Sequence, residues 1–216
     1  WVLARSRRMP TSIPTQAGAG TAAEFYTAQT EAAANRIMDR LRGRYVLVDA
    51  TLPFMRPGGM RSTVGKFRSL VIWAGQAPAD YFEPYYFEQP DGTLARRTLY
   101  YPAYFRSMLV RLYLFGGEAV PVDRDVAVVT FDERTHGDTP VKVVTGRRGF
   151  GSYDEAAAWI AAQEEPARHR IVSDDPQRSC VPFPALTRYR RVHGSPTSVG
   201  RRSGGPISVV EIFEYY

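Results

Sequence analysis

Few side chains in this chain have the type and spacing for chemistry. His136 stands with Asp132, Glu133 and Asp138, four groups of metal-ligating type. Their spacing matches no dedicated ligand motif, and they flank a turn at Gly137-Asp138 where acids cap backbone and face solvent. His169 and His193 lie near arginines and lack a carboxylate to orient a general base. Ser195 and Ser198 fall in a Gly/Ser/Pro/Arg stretch without the strand, turn and helix that expose a nucleophilic serine. Cys180 is the single cysteine, which excludes an internal disulfide and a multi-cysteine metal centre, and it reads as a structural thiol. These residues therefore supply no catalytic group and no metal site. The aromatic run Tyr81 to Phe87 suits a peptide or sugar groove in type, but core filling is the better reading. Lys66 is notable because only it and Lys142 are lysines among 28 basic residues.

Composition bounds the answer further. A chain of 216 residues with 44% hydrophobic and 23% charged residues can bury a full core as a single domain. No stretch approaches the roughly 18 apolar residues of a membrane-spanning helix. The net charge of +6 favours anionic partners such as phosphates, lipid head groups or nucleic acid. The paired arginines, Arg7-Arg8, Arg147-Arg148, Arg190-Arg191 and Arg201-Arg202, are spread over different predicted elements without a nucleic-acid-binding signature. They read as a solvated basic surface. The chain opens without Met on Trp1-Val2-Leu3 and closes inside an alternating run, Val209 to Tyr216, so one domain of a longer polypeptide is expected.

The elements that must carry these residues follow from pattern. Residues 1–20 read as an irregular connector, rich in Pro and Gly. Thr30 caps a helix over 31–42 with apolar positions at helical spacing and a stop at Gly43. Tyr45 to Asp49 is a short apolar run that predicts a strand buried on both faces. A loop over 52–59 precedes a helix from Val64 to Trp73, and 77–99 reads as packed irregular structure. A helix apolar on most sides spans 104–115. Strands are predicted at 125–131, 141–145, 170–172, 186–193 and 207–215, with a helix over 155–163 opened by the capping box Ser152-Tyr153-Asp154-Glu155. The stretch 194–206 reads as a flexible hairpin loop. The expected fold is mixed α/β, a central sheet with buried helices near 30–42 and 104–115, in one domain over 1–216: the connector, a helix-rich half over 21–120 and a strand-rich half over 121–216.

Five phrases occur in a particular order: Arg44-Tyr45-Val46-Leu47-Val48-Asp49, Gly65 to Gly75, Tyr104 to Tyr113, Tyr189-Arg190-Arg191-Val192-His193, and Ile212-Phe213-Glu214-Tyr215. Together they resemble the soluble carboxy-terminal domain of archaeal and bacterial single-subunit oligosaccharyltransferases, over nearly the whole chain. The resemblance implies a membrane glycosyltransferase that moves a lipid-linked glycan to the Asn of an Asn-x-Ser/Thr acceptor. In that family the catalytic acids and a divalent metal, Mn or Mg, sit in a membrane region, so no cofactor is expected within these residues. The soluble domain contributes the Trp-Trp-Asp-Tyr-Gly motif that holds the acceptor hydroxyl; Trp1-Val2-Leu3 resembles the residues just after it, and a fragment beginning there should be inactive. A second family element, Asp-x-x-Lys-x-x-x-Met/Ile, places Lys66 at its Lys position, Leu70 at its Met/Ile position and Thr63 where Asp is expected. These three are the acceptor-binding residues that the resemblance implies. Thr63 cannot supply the carboxylate that would pair with Lys66, which leaves another acid, Asp49, as the alternative.

The implied partners are an acceptor polypeptide, a lipid-linked oligosaccharide and the membrane surface, with no nucleic acid. The implied location is the extracytoplasmic side of the cell membrane. A reading from another class is a non-catalytic basic module that binds anionic lipid or nucleic acid.

Overall fold

A computed structural model of the chain describes residues 10–11, 17–53, 66–122, 125–202 and 204–216. Among them are six helices: α1 (Ala19–Thr27), α2 (Glu31–Leu41), α3 (Phe67–Trp73), α4 (Pro102–Arg106), α5 (Met108–Tyr113) and α6 (Tyr153–Ala161). Ten strands accompany them: β1 (Tyr45–Asp49), β2 (Phe82–Glu88), β3 (Leu94–Tyr100), β4 (Val126–His136), β5 (Thr139–Phe150), β6 (His169–Val172), β7 (Tyr189–Gly194), β8 (Ser198–Arg202), β9 (Gly205–Ser208) and β10 (Val210–Tyr215). The class is mixed α/β, as expected. In place of one central sheet there are a three-stranded sheet, a five-stranded sheet and a small hairpin. None of the described helices is long and apolar enough to cross a membrane. The chain divides into two compact units, one of 1–77, 107–117 and 186–216, the other of 78–106 and 118–185.

In the first unit β1, β10 and β7 form an antiparallel sheet in that order. The Thr30 hydroxyl accepts from the Ala33 amide at 3.2 Å and starts α2 as its sequence dictates. Arg42, at φ 50°, takes the left-handed position that ends the helix. Gly43 serves close approach instead: a Cβ there would press on the Met38 side chain at 2.9 Å. Three expectations are corrected. The helix α2 buries only Ala34 and Met38, so it flanks the core on one stripe. The strand β1 alternates, with Val46 and Val48 buried but Tyr45 46% and Leu47 40% exposed, because it is an edge strand covered on one face. The helix α1 lies partly inside the presumed connector. Its glycines suggested irregularity, but burial of Ala23, Phe25 and Thr27 against its helical neighbours outweighs the roughly 1 kcal/mol that Gly20 costs.

The apolar helix over 104–115 is two helices. Ser107 adopts extended backbone at φ −62° and ψ 142°, and the Met108 amide donates to the Ala28 carbonyl at 3.0 Å rather than continuing the previous turn. All six residues of α5 are buried. The stretch 194–206 is also corrected from loop to structure, since β8 and β9 pair there as a hairpin. Buried electrostatics pin it. Arg202 donates from Nη2 to both oxygens of Glu211 at 3.0 Å and from Nη1 to the Tyr113 carbonyl at 2.7 Å. Arg191 reaches the same carboxylate at 3.1 Å, and the Ser208 amide donates to it at 3.2 Å. Arg191 and Arg202 are thus internal partners of a buried acid rather than members of a solvated basic surface. Gly116, at φ 68°, leaves room for this guanidinium, since a Cβ would lie 2.9 Å from Arg202 Nε.

In the second unit the sheet order is β3-β2-β5-β4-β6, antiparallel except where β2 runs parallel to β5. Tyr85, Leu99, Val129, Phe131 and Val172 are the centre of its core. The region 77–99, expected to be irregular, is largely the β2–β3 hairpin. Pro84 hid it, yet β2 meets β5 only from Tyr86 onward, so at Pro84 the strand has a single partner and a missing N–H is tolerated. Tyr81, Phe82 and Tyr85 are buried there, which makes the aromatic run mainly core. The helix α6 starts at the predicted cap: Ser152 Oγ accepts from the Glu155 amide at 3.1 Å, while Glu155 Oε2 accepts from the Gly151 amide, one residue before the cap, at 2.9 Å.

Candidate functional site

The stretch from β1 to α3 carries the residues singled out for acceptor binding. At the end of β1 the Asp49 carboxylate closes a turn, accepting from the Thr51 amide at 2.7 Å and the Thr51 hydroxyl at 2.5 Å. The Ala50 amide donates to the Val209 carbonyl at 2.8 Å, which ties the turn to the segment before β10. The Lys66 amide then donates to the Thr51 carbonyl at 3.1 Å, so the first residue of the α3 cap is fixed on that turn. One turn on, the Leu70 amide bonds to the Lys66 carbonyl at 3.0 Å. Lys66, the cap residue, and Leu70 are therefore one helical turn apart.

Their environments differ. Lys66 is exposed and, among the described residues, carries no ion pair; Leu70 is 5% exposed and sits with Phe67 and Val71 on the buried side of α3. Thr63 lies outside the described residues, as do Trp1-Val2-Leu3. Asp49, the alternative acid, directs its carboxylate oxygen to Thr51, within its own turn. Chemically the arrangement offers an exposed ammonium with three rotatable N–H donors and, among the described residues, no ion pair.

The remaining candidates are not brought together. Asp132 pairs with Arg168 at 3.1 Å, whereas the His136 ring lies 6.5 Å from that of Tyr86. His169 shares a 3.0 Å hydrogen bond between Nδ1 and Thr130 Oγ1, and His193 is an exposed strand position on β7. Ser195 Oγ donates to the Thr197 carbonyl at 3.2 Å and accepts from the Val210 amide at 3.1 Å, a turn-forming role. Cys180 is buried, and burial pushes its thiol up to about 12, so it is inert. Among the described residues no three His, Cys, Asp or Glu side chains gather as a metal site. The divalent metal implied by the resemblance thus has no fit among them.

One polar network was missed by sequence reasoning. Glu83 Oε2 accepts from Lys142 Nζ at 2.5 Å and from the Tyr101 hydroxyl at 2.6 Å, and the Tyr101 and Tyr85 hydroxyls are 2.7 Å apart. Burial, followed by the neighbouring Tyr85, holds the Tyr101 phenol far above its ordinary range, so it remains the donor to Glu83. Burial pushes Tyr85 up to about 12. Lys142 lies 59 positions from Glu83, and no spacing rule connects them.

Sequence comparison shows what the chain is similar to. Residues 1–53 match the family model of the AglB core-like domain. The ordered phrases and this match point to the same similarity, to oligosaccharyltransferases. More particularly, the chain is 28% identical over 93% of its length to the dolichyl-monophosphooligosaccharide protein glycotransferase AglB of Haloferax volcanii, of which it covers 20%. It is 27% identical over 56% of its length to the dolichyl-phosphooligosaccharide protein glycotransferase 3 of Archaeoglobus fulgidus, of which it covers 16%. The chain thus spans about a fifth or less of the length of these curated relatives. Among solved structures, the C-terminal globular domain of an Archaeoglobus fulgidus oligosaccharyltransferase aligns with all of this chain and 78% of its own, at 17% identity and a TM-score of 0.46.

Proposed function

We propose that this chain is the extracytoplasmic, acceptor-recognising part of a membrane oligosaccharyltransferase. The whole protein would transfer a lipid-linked glycan to the Asn of an Asn-x-Ser/Thr sequon. The single observation that supports this most is similarity to a named glycotransferase over 93% of the chain. In this reading the chain forms one functional domain over 1–216 whose partners are an acceptor polypeptide, a lipid-linked glycan and the membrane surface. Its task is positioning. The exposed Lys66 ammonium donates to acceptor oxygens, while Leu70 supports the apolar side of α3, and Thr63 is the third acceptor-binding residue of this reading. Holding the acceptor hydroxyl lowers the entropic cost of bringing its Asn to the reacting centre. The catalytic acids and a divalent metal would belong to the membrane region.

The test uses the full-length protein in membranes with its lipid-linked glycan and paired peptides bearing Asn-x-Thr or Gln-x-Thr. Glycosylation of the first and not the second is expected. Transfer to neither peptide, with a lipid-linked donor shown to be present, would contradict the reading.

A further inference from the structure

The second unit contains a cleft of about 670 Å³ that the acceptor reading does not use. Its volume falls in the range of small-molecule sites. Three cations, Arg106, Lys142 and Arg170, line it against two carboxylates, Asp80 and Glu83. Their availability is unequal. Lys142 and Glu83 neutralise one another at 2.5 Å, and the Tyr101 hydroxyl supports the same carboxylate, so this pair contributes little net field. Asp80 is exposed at the end of a short helical turn, where water screens it.

The two arginines are different. Neither Arg106 nor Arg170 has an ion-pair partner among the described residues, although eight other arginines there do. Each is held instead by an aromatic ring: the Arg106 guanidinium lies 5.4 Å from the Tyr153 ring centre and that of Arg170 lies 5.9 Å from the Phe131 centre. Arg170 also donates from Nη1 to the carbonyls of Ala167 and His169, at 3.1 and 2.8 Å, which leaves Nε and Nη2 uncommitted. Contact with a ring face restrains a guanidinium while its in-plane N–H groups stay free. That is the geometry for a forked hydrogen bond to a planar oxyanion. Beside these donors the wall turns apolar through Pro102, Ala157, Ile160 and Ile171.

We propose that this cleft is a binding site for a small carboxylate with an apolar or ring-shaped body, its anionic end held by Arg106 and Arg170. Its occupant is distinct from the acceptor peptide of the first unit. The probe is benzoate, titrated into the 216-residue chain and followed by amide chemical-shift changes, with uncharged benzamide and inorganic phosphate in parallel. Benzoate should shift resonances of residues 102–106, 157–160 and 169–171, and bind about tenfold more tightly than benzamide. R106Q and R170Q, on separate elements, should each weaken benzoate about tenfold without altering the circular dichroism. Equal affinity for benzoate and benzamide would overturn the proposal, leaving only an apolar crevice. So would unchanged benzoate binding in both variants, or saturable binding of phosphate with none of benzoate.

Discussion

Two glutamates three positions apart on β10 each hold two arginines, and their surroundings make the pairs unequal. Glu211 is fully buried between Arg202 and Arg191, in contact with a hairpin that has little apolar surface of its own. Glu214, 15% exposed at its side chain, lies between two solvent-exposed arginines, Arg44 at 3.0 Å and Arg190 at 2.7 Å. Similar charge geometry therefore does different work. At Glu211 the cost of removing one partner is an uncompensated buried charge; at Glu214 water takes the place of whatever is lost. The basic excess that appears uniform in composition divides in the fold into structural cations, screened surface cations and a few that are unspent.

Mutations sharpen this contrast. E211Q leaves Arg202, 7% exposed at its side chain, without its counter-ion and should cost about 3–5 kcal/mol, read as a large drop in the urea midpoint. A midpoint within error of the parent would break the comparison. Gly116→Ala forces a Cβ against Arg202 Nε from a left-handed backbone and should cost roughly 1–3 kcal/mol in the same assay. Lys142→Met removes a cation whose side chain is only 21% exposed. It leaves Glu83 its Tyr101 donor, so a loss near 1 kcal/mol is expected in thermal unfolding.

E214Q should have the smallest effect, and its pH dependence identifies the cause. Hydrogen bonds from Arg190, then from Arg44, hold the Glu214 carboxyl below its ordinary 4.5. The folded state then binds fewer protons than the unfolded state between the two values. Its contribution is complete above pH 4.5 and vanishes as pH falls through the depressed folded value. Urea midpoints of the parent and E214Q should differ slightly at pH 6 and converge at low pH; divergence on acidification would contradict the assignment.

Legibility in the sequence followed the range of the interactions. Local rules placed α2 through Thr30 and α6 through Ser152 and Glu155, because a cap is set within four residues. They failed where a distant partner decides. The β8–β9 hairpin looks like a loop because its anchor, Arg202 on Glu211, replaces the apolar pattern that marks a strand. Tyr45 to Asp49 reads as doubly buried until its edge position in the sheet is known. At the candidate site the i, i+4 relation of Lys66 and Leu70 was legible from spacing. The tie between the Asp49 turn and the Lys66 amide depends on residues brought together across 54–65, which no local pattern encodes.

The two lysines differ in the same way, since Lys142 is spent on Glu83 while the exposed Lys66 has no ion pair among the described residues. The most direct measurement is steady-state transfer to an Asn-x-Thr peptide by the full-length protein and its Lys66→Ala variant. An acceptor-positioning role predicts that KM for the peptide rises about tenfold while kcat changes little and the unfolding midpoint stays put. An unchanged KM in an active, fully folded variant would contradict it.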